Sequence, residues 1–78
     1  MTPLEKSILA TLVYYDTIGL PLTSFEIYRY LINPRHFSFK INQEDLSLSE
    51  IYRALKAQSL KKIIEYKDGF YFLRVFFL

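Results

Sequence analysis

The sequence predicts a small α+β domain in which three helices precede an antiparallel β-hairpin. The pattern Ser/Thr-x-x-Glu, which is typical of helix N-termini, occurs at three well-separated places. Near the C-terminal end, Asp68-Gly69 separates two segments rich in aromatic and β-branched residues, as in a tight hairpin. A chain of 78 residues supports one small core, so we expect a single domain over residues 1–78.

The three helices are predicted to begin with the same capping box. In this motif the Ser/Thr hydroxyl accepts a hydrogen bond from the first turn, and the Glu side chain reaches back to the cap residue. The pairs are Thr2 with Glu5, Thr23 with Glu26 and Ser47 with Glu50. The apolar spacing after each pair predicts helices over residues 3–15, 24–32 and 47–58.

The second and third helices contain the same tetrapeptide, Glu-Ile-Tyr-Arg, at residues 26–29 and 50–53. Two copies are too few for a repeat protein, which needs about three units. We interpret them as helices that pack alike, with Ile and Tyr toward the core and Arg toward solvent. In the third helix the residues predicted to face the core are Leu48, Ile51, Tyr52 and Leu55.

The hairpin is expected over residues 62–74, and its two-residue turn fixes the pairing of the strands. The predicted partners are Lys67 with Phe70, Tyr66 with Tyr71, Glu65 with Phe72, and Ile64 with Leu73. The core face would then hold Ile64, Tyr66, Tyr71 and Leu73. Upstream, Leu20-Pro21-Leu22 is predicted to be a short extended segment, and residues 33–46 a long connection.

Composition and motif content exclude several classes of protein. The absence of Cys excludes disulfides, a thiol nucleophile and a Cys-based zinc site, and it fits a reducing cytoplasm. We see no signal peptide and no apolar run of membrane-spanning length, so we expect a cytoplasmic protein without membrane contact. No catalytic motif occurs, and His36 with Glu44-Asp45 lacks the spacing of a metal site. We therefore expect no enzymatic activity, metal or cofactor.

Basic charge gathers in the last third of the chain. Residues 1–52 carry four Lys/Arg and six Asp/Glu, whereas residues 53–78 carry six Lys/Arg and two Asp/Glu. The formal net charge of +2 is small, but this asymmetry favours a partner at the C-terminal end.

The order of helix, short strand, helix, helix and hairpin resembles the winged helix-turn-helix family. Residues 47–73 carry the resemblance best, with a capped helix, Leu60, and the segment IIEYKDGFYFL as the wing. The resemblance implies that the third helix enters the major groove of DNA. It also implies that the wing tip, Lys67-Asp68-Gly69, contacts the adjacent phosphate backbone.

The segments LEKSILATLVYYDTIGLPLTSFEIYRYLI, LSLSEIYRAL and KDGFYFL further resemble the N-terminal winged-helix region of bacterial nucleotidyltransferase-like proteins. In those proteins a catalytic domain follows, marked by Gly-Ser and a downstream pair of aspartates. Neither Gly19 nor Gly69 is followed by Ser here. The resemblance therefore implies the winged-helix module without the catalytic activity, and a truncated N-terminal module is one alternative.

Two kinds of site follow from these patterns. The leading hypothesis is duplex DNA binding, with the contacts made by Ser49, Arg53, Lys56, Lys61, Lys62 and Lys67. A solvated basic face is the simpler interpretation, and Glu50 beside these cations favours it.

The competing hypothesis is a protein interface formed by some of the fourteen aromatic residues, which are the seven Phe and seven Tyr. The candidates are Phe70, Phe72, Phe76 and Phe77. Such a surface would bind a second copy of the chain or a neighbouring domain. Alternatively, Phe76 and Phe77 fold back over the first helix.

Overall fold

The computed structural model describes residues 1–32 and 47–74, and over these ranges the fold is α+β, as predicted. Four helices precede a two-stranded antiparallel sheet within the described residues: α1 Pro3–Asp16, α2 Ser24–Arg29, α3 Leu48–Leu55, α4 Gln58–Lys61, β1 Ile64–Lys67 and β2 Phe70–Leu73. The predicted connection over residues 33–46 lies outside this description. No helix in the described ranges has the length and apolar character needed to cross a membrane.

Helix α1 is capped at both ends by the motifs typical of helix termini. Thr2 Oγ1 accepts from the Glu5 backbone N–H at 3.1 Å, and Glu5 Oε1 accepts from the Thr2 N–H at 3.4 Å. At the other end, the Gly19 N–H donates to the Asp16 carbonyl and the Leu20 N–H donates to the Tyr15 carbonyl. This pair of bonds is a Schellman motif, which requires the positive φ of +70° found at Gly19.

Helix α2 is shorter than the predicted 24–32. Thr23 forms the expected capping box with Glu26, but the helix ends at Arg29. The Ile32 N–H donates to Thr11 Oγ1 at 2.9 Å, and this buried hydroxyl donates in turn to a carbonyl of α1. A hydrogen bond to α1 therefore takes the place of the last predicted helical turn and holds the Ile32 backbone against α1.

The third predicted helix, 47–58, is interrupted. Helix α3 ends at Leu55, and Ala57 has an extended backbone with ψ of 143° before the single turn of α4. In one continuous helix Leu60 would follow Lys56 by four residues and so lie on the same exposed face. The break instead buries Leu60 completely. It also allows Ser59 Oγ to donate to Glu5 Oε1 at 2.5 Å.

The hairpin has the predicted register, with all four strand pairs as expected. Asp68 and Gly69 both have positive φ, +52° and +87°, as a type I′ turn requires. The predicted extended segment also pairs with the hairpin. Leu22 and Tyr71 exchange two backbone hydrogen bonds of 3.0 and 2.6 Å across the free side of β2.

The core forms where the helices meet the hairpin. Its buried hydrophobic members are Ile8, Leu12, Leu22, Ile27, Leu31, Ile51, Leu55, Leu60, Ile64 and Tyr71.

Three core predictions are wrong, because Leu48, Tyr52 and Tyr66 are 40%, 44% and 63% exposed. Helix α3 packs against α1 and α2 through Ile51 and Leu55, and the ridge holding Leu48 and Tyr52 is turned by about 60° from it.

The turn geometry predicts the effect of changing Gly69. A Cβ added there meets no atom within 4 Å, so the cost is that of a positive φ for an L-residue. We expect Gly69→Ala to lower the free energy of unfolding by about 1 kcal/mol. We expect Gly69→Asn to cost less, because Asn tolerates the left-handed conformation. Urea denaturation followed by circular dichroism measures both; equal stability of Ala and wild type would contradict the assigned turn.

The Glu5–Ser59 bond predicts a pH dependence of stability. The Ser59 hydrogen bond is the largest cause that lowers the pKa of Glu5 below its ordinary value of 4.5, outweighing burial, which raises it. A lowered folded-state pKa gives stability that is present above the unfolded value and is lost as the pH falls through the folded value. We expect Ser59→Ala to raise the Glu5 pKa and to cost about 1.5 kcal/mol at neutral pH.

Side-chain NMR titration of Glu5 and denaturation at several pH values measure these effects. The matched control is Ser59→Ala in a Glu5→Gln background, where the pH-dependent part should disappear. An unchanged Glu5 pKa in Ser59→Ala would refute this account.

Candidate nucleic-acid interface

One side of α3 is exposed and carries hydroxyl, aromatic and basic groups. Ser49, Tyr52, Arg53 and Lys56 follow the spacing i, i+3, i+4 and i+7, so they lie along one face of the helix. With Ser24 and Leu48 they line an open groove of about 640 Å³. The structure thus brings together three of the predicted site residues, namely Ser49, Arg53 and Lys56.

Glu50 lies to one side of this groove. Its Oε1 accepts from the Ser47 hydroxyl at 3.4 Å, in the first turn of α3, where a negative charge is favoured by the helix dipole. Glu50 lines a separate depression with Leu4, Ala54 and Arg53, on the side of α3 that faces α1. Its carboxylate therefore shares this depression with Arg53 and does not line the groove that holds Ser49 and Lys56.

A second groove, of about 430 Å³, separates α3 from the hairpin. Its polar and aromatic lining includes Tyr52, Lys56, Lys61, Glu65, Tyr66 and Tyr71. Tyr52 and Lys56 line both grooves, so the two form one continuous surface. Lys61 reaches this surface because α4 turns away from the direction of α3.

Aromatic contacts order the side chains of the second groove. The Lys56 ammonium lies 4.4 Å from the centroid of the Tyr52 ring, a cation–π contact. The rings of Tyr66 and Tyr71 are 4.8 Å apart at an angle of 53°. Burial raises the pKa of the Tyr71 phenol above its ordinary value of 10.0, and the neighbouring phenols of Tyr52 and Tyr66 raise it further. The Tyr71 phenol is therefore neutral, and its ring packs against the ring of Tyr66.

Arg74 adds a cation that the sequence did not suggest as a site residue. Its Nε is 3.3 Å from Glu65 Oε1, and its Nη2 donates to the Lys61 carbonyl at 3.4 Å. The Glu65 carboxylate at the groove is therefore paired. Lys56 and Lys61 keep their positive charge available to a ligand.

Other predicted site residues lie apart from these grooves. Lys62 follows α4 and Lys67 ends β1 beside the turn; both are exposed, and neither lines the two grooves. Phe70 is 41% exposed and Phe72 is half-buried. Phe76 and Phe77 fall outside the described residues.

Sequence reasoning missed Tyr52, Tyr66 and Arg74. The spacing of Tyr52 relative to Ser49, Arg53 and Lys56 was a usable signal, because it places all four on one helix face. Among residues 1–32 and 47–74, no group of three His, Asp or Glu side chains is placed to hold a metal ion. His36, Glu44 and Asp45 are not among the described residues.

Searches against protein-family models, curated proteins and solved structures find no match to this chain. The winged-helix and nucleotidyltransferase-like resemblances therefore remain predictions from the sequence. Any function assigned to the chain rests on its own geometry.

Proposed function

We propose that the chain is a winged helix-turn-helix module that binds duplex DNA and has no enzymatic activity. The observation that carries this proposal is the exposed face of α3, where Ser49, Arg53 and Lys56 share one groove. The antiparallel hairpin that follows α4, and the pairing of Leu22 with Tyr71 at its other side, agree with the winged-helix plan. In this proposal the chain acts in the cytoplasm and needs no cofactor.

Each group on the α3 face has a role in such a complex. The major groove of B-DNA admits an α-helix, and Arg53 and Lys56 would contact phosphates or guanine edges there. The Ser49 hydroxyl, 3.0 Å from Ser47 Oγ, would exchange that contact for a hydrogen bond donated to a phosphate oxygen. Lys61, Lys62 and the wing-tip Lys67 would neutralise flanking phosphates, which makes binding dependent on salt.

The test is the affinity of the purified chain for a labelled mixed-sequence duplex, measured by fluorescence anisotropy across a salt series. We expect Arg53→Ala/Lys56→Ala to weaken binding and to reduce the slope of log K against log salt by about 1 for each of the two cations that contacts a phosphate. The control Lys6→Ala/Arg29→Ala removes the same charge from exposed residues of α1 and α2. Absence of binding at low salt, or equal losses in both variants, would rule the proposal out.

The second candidate function is self-association through the aromatic end of the chain. The observation in its favour is Phe70, which is 41% exposed on a strand whose next residue, Tyr71, is buried. An exposed Phe beside a half-buried Phe72 gives an apolar patch of the kind found at interfaces.

If this second function is correct, sedimentation velocity should show a dimer whose population rises with concentration, and Phe70→Ser should be monomeric. Phe25→Ser is the matched control, because Phe25 is 53% exposed but lies on α2. A wild-type monomer at every concentration would exclude self-association.

A further inference from the structure

The second groove presents an aromatic ring that is both accessible and held in place. Tyr66 is 63% exposed, although its ring packs against Tyr71 at a centroid distance of 4.8 Å. Hairpin pairing between the same two residues fixes their backbones. Tyr66 is thus supported on one side and open on the other, as a stacking platform must be.

The charges around this ring suit a phosphate backbone. Lys56 and Lys61 line the groove with Tyr66, and Arg74 lies beside Lys61, bonded to its carbonyl. Glu65, the acidic residue of the lining, is paired with Arg74. Among the described residues, the cations at this groove, which are Lys56, Lys61 and the adjacent Arg74, therefore outnumber its one carboxylate, Glu65.

A groove that combines an exposed aromatic ring with cations favours unpaired nucleotides over a duplex. The bases of a duplex stack on one another and hide their faces, whereas an unpaired base can stack on a tyrosine while lysines bind its phosphates. An acidic peptide would use the lysines but would leave the ring face without a planar partner. The groove volume of about 430 Å³ falls in the range of known small-ligand sites, about 300–1,000 Å³.

The two grooves join along α3, and this gives a single strand a path from one groove to the other. Because Tyr52 and Lys56 line both grooves, a DNA strand that leaves a duplex bound at α3 meets the hairpin groove next. We propose that this groove binds a single-stranded extension of the duplex, with one base stacked on Tyr66 and its phosphates at Lys56 and Lys61. The site rests on the DNA-binding function proposed above and makes a junction between duplex and single strand the preferred ligand.

The experiment compares three labelled probes with the full chain: a blunt duplex, the same duplex with a short thymidine extension, and the thymidine strand alone. We expect the extension to tighten binding at least about fivefold, which is the lower end of the contribution of one stacked base. Tyr66→Phe should keep this gain because it keeps the ring, and Tyr66→Leu should lose it. The chain has no Trp, so stacking should also quench its tyrosine fluorescence, and Tyr66→Leu should reduce that quenching.

Lys61→Ala should weaken binding of the extended probe more than that of the blunt duplex. Circular dichroism checks that each variant is folded. We expect the variants to fold, because Tyr66 and Lys61 are exposed.

The outcomes separate this inference from the proposed function. Blunt-duplex binding without any gain from the extension would overturn the inference and leave the proposed function standing. A gain of the same size in Tyr66→Leu would also overturn it, since the base would then bind elsewhere. Binding of the single strand through Tyr66, without binding of the blunt duplex, would support the groove and refute duplex binding by α3.

Discussion

The backbone pair between Leu22 and Tyr71 is the constraint on which the arrangement depends. Its two hydrogen bonds, 3.0 and 2.6 Å, join the segment between α1 and α2 to the middle of the hairpin. Both residues are also buried, so the same contact closes the core and fixes the sheet against the helices. Within the described residues β1 pairs only with β2, so it is an outer strand there, and Tyr66 projects from it beside α3. The groove between α3 and the hairpin is therefore positioned by a pairing on the opposite side of β2.

The two Glu-Ile-Tyr-Arg copies show how much of a helix's role is decided by its neighbours. Ile27 and Ile51 are both fully buried, so the two helices do use the same residue to enter the core. The tyrosines that follow differ: Tyr28 packs at the edge of the core, whereas Tyr52 lies on the open face with the Lys56 ammonium over its ring. The identical tetrapeptide gives the same buried ridge but not the same capping. Glu26 completes its capping box at Thr23, whereas Glu50 accepts from the Ser47 hydroxyl and not from the Ser47 backbone N–H, so the predicted third box is incomplete. Whether the next residue, about 100° further around the axis, is buried or exposed depends on what lies beside the helix.

Features governed by local chemistry could be predicted from the sequence. The Thr2 and Thr23 capping boxes, the turn at Asp68-Gly69 and the strand register each depend on contacts within a few residues. The wrong predictions concern places where a residue distant in the sequence competes with the local conformational preference. The end of α2 is set by Thr11, twenty-one residues away from Ile32. For the candidate site, helical spacing in the sequence predicts the shared face of the α3 cations, but it does not predict the groove beside the hairpin. It forms only when Tyr66 and Lys61, from separate elements, are brought next to Tyr52 and Lys56.

The break between α3 and α4 joins the packing of the domain to the chemistry of its surface. In an uninterrupted helix Lys61 would follow Lys56 by five residues, about 140° around the axis, and the two ammonium groups would diverge. Leu60 would occupy the basic face instead. The extended backbone at Ala57 reverses both placements, since it buries Leu60 and turns Lys61 toward the groove that Lys56 lines. Burial of one leucine thus drives a change of direction that concentrates positive charge beside an exposed tyrosine.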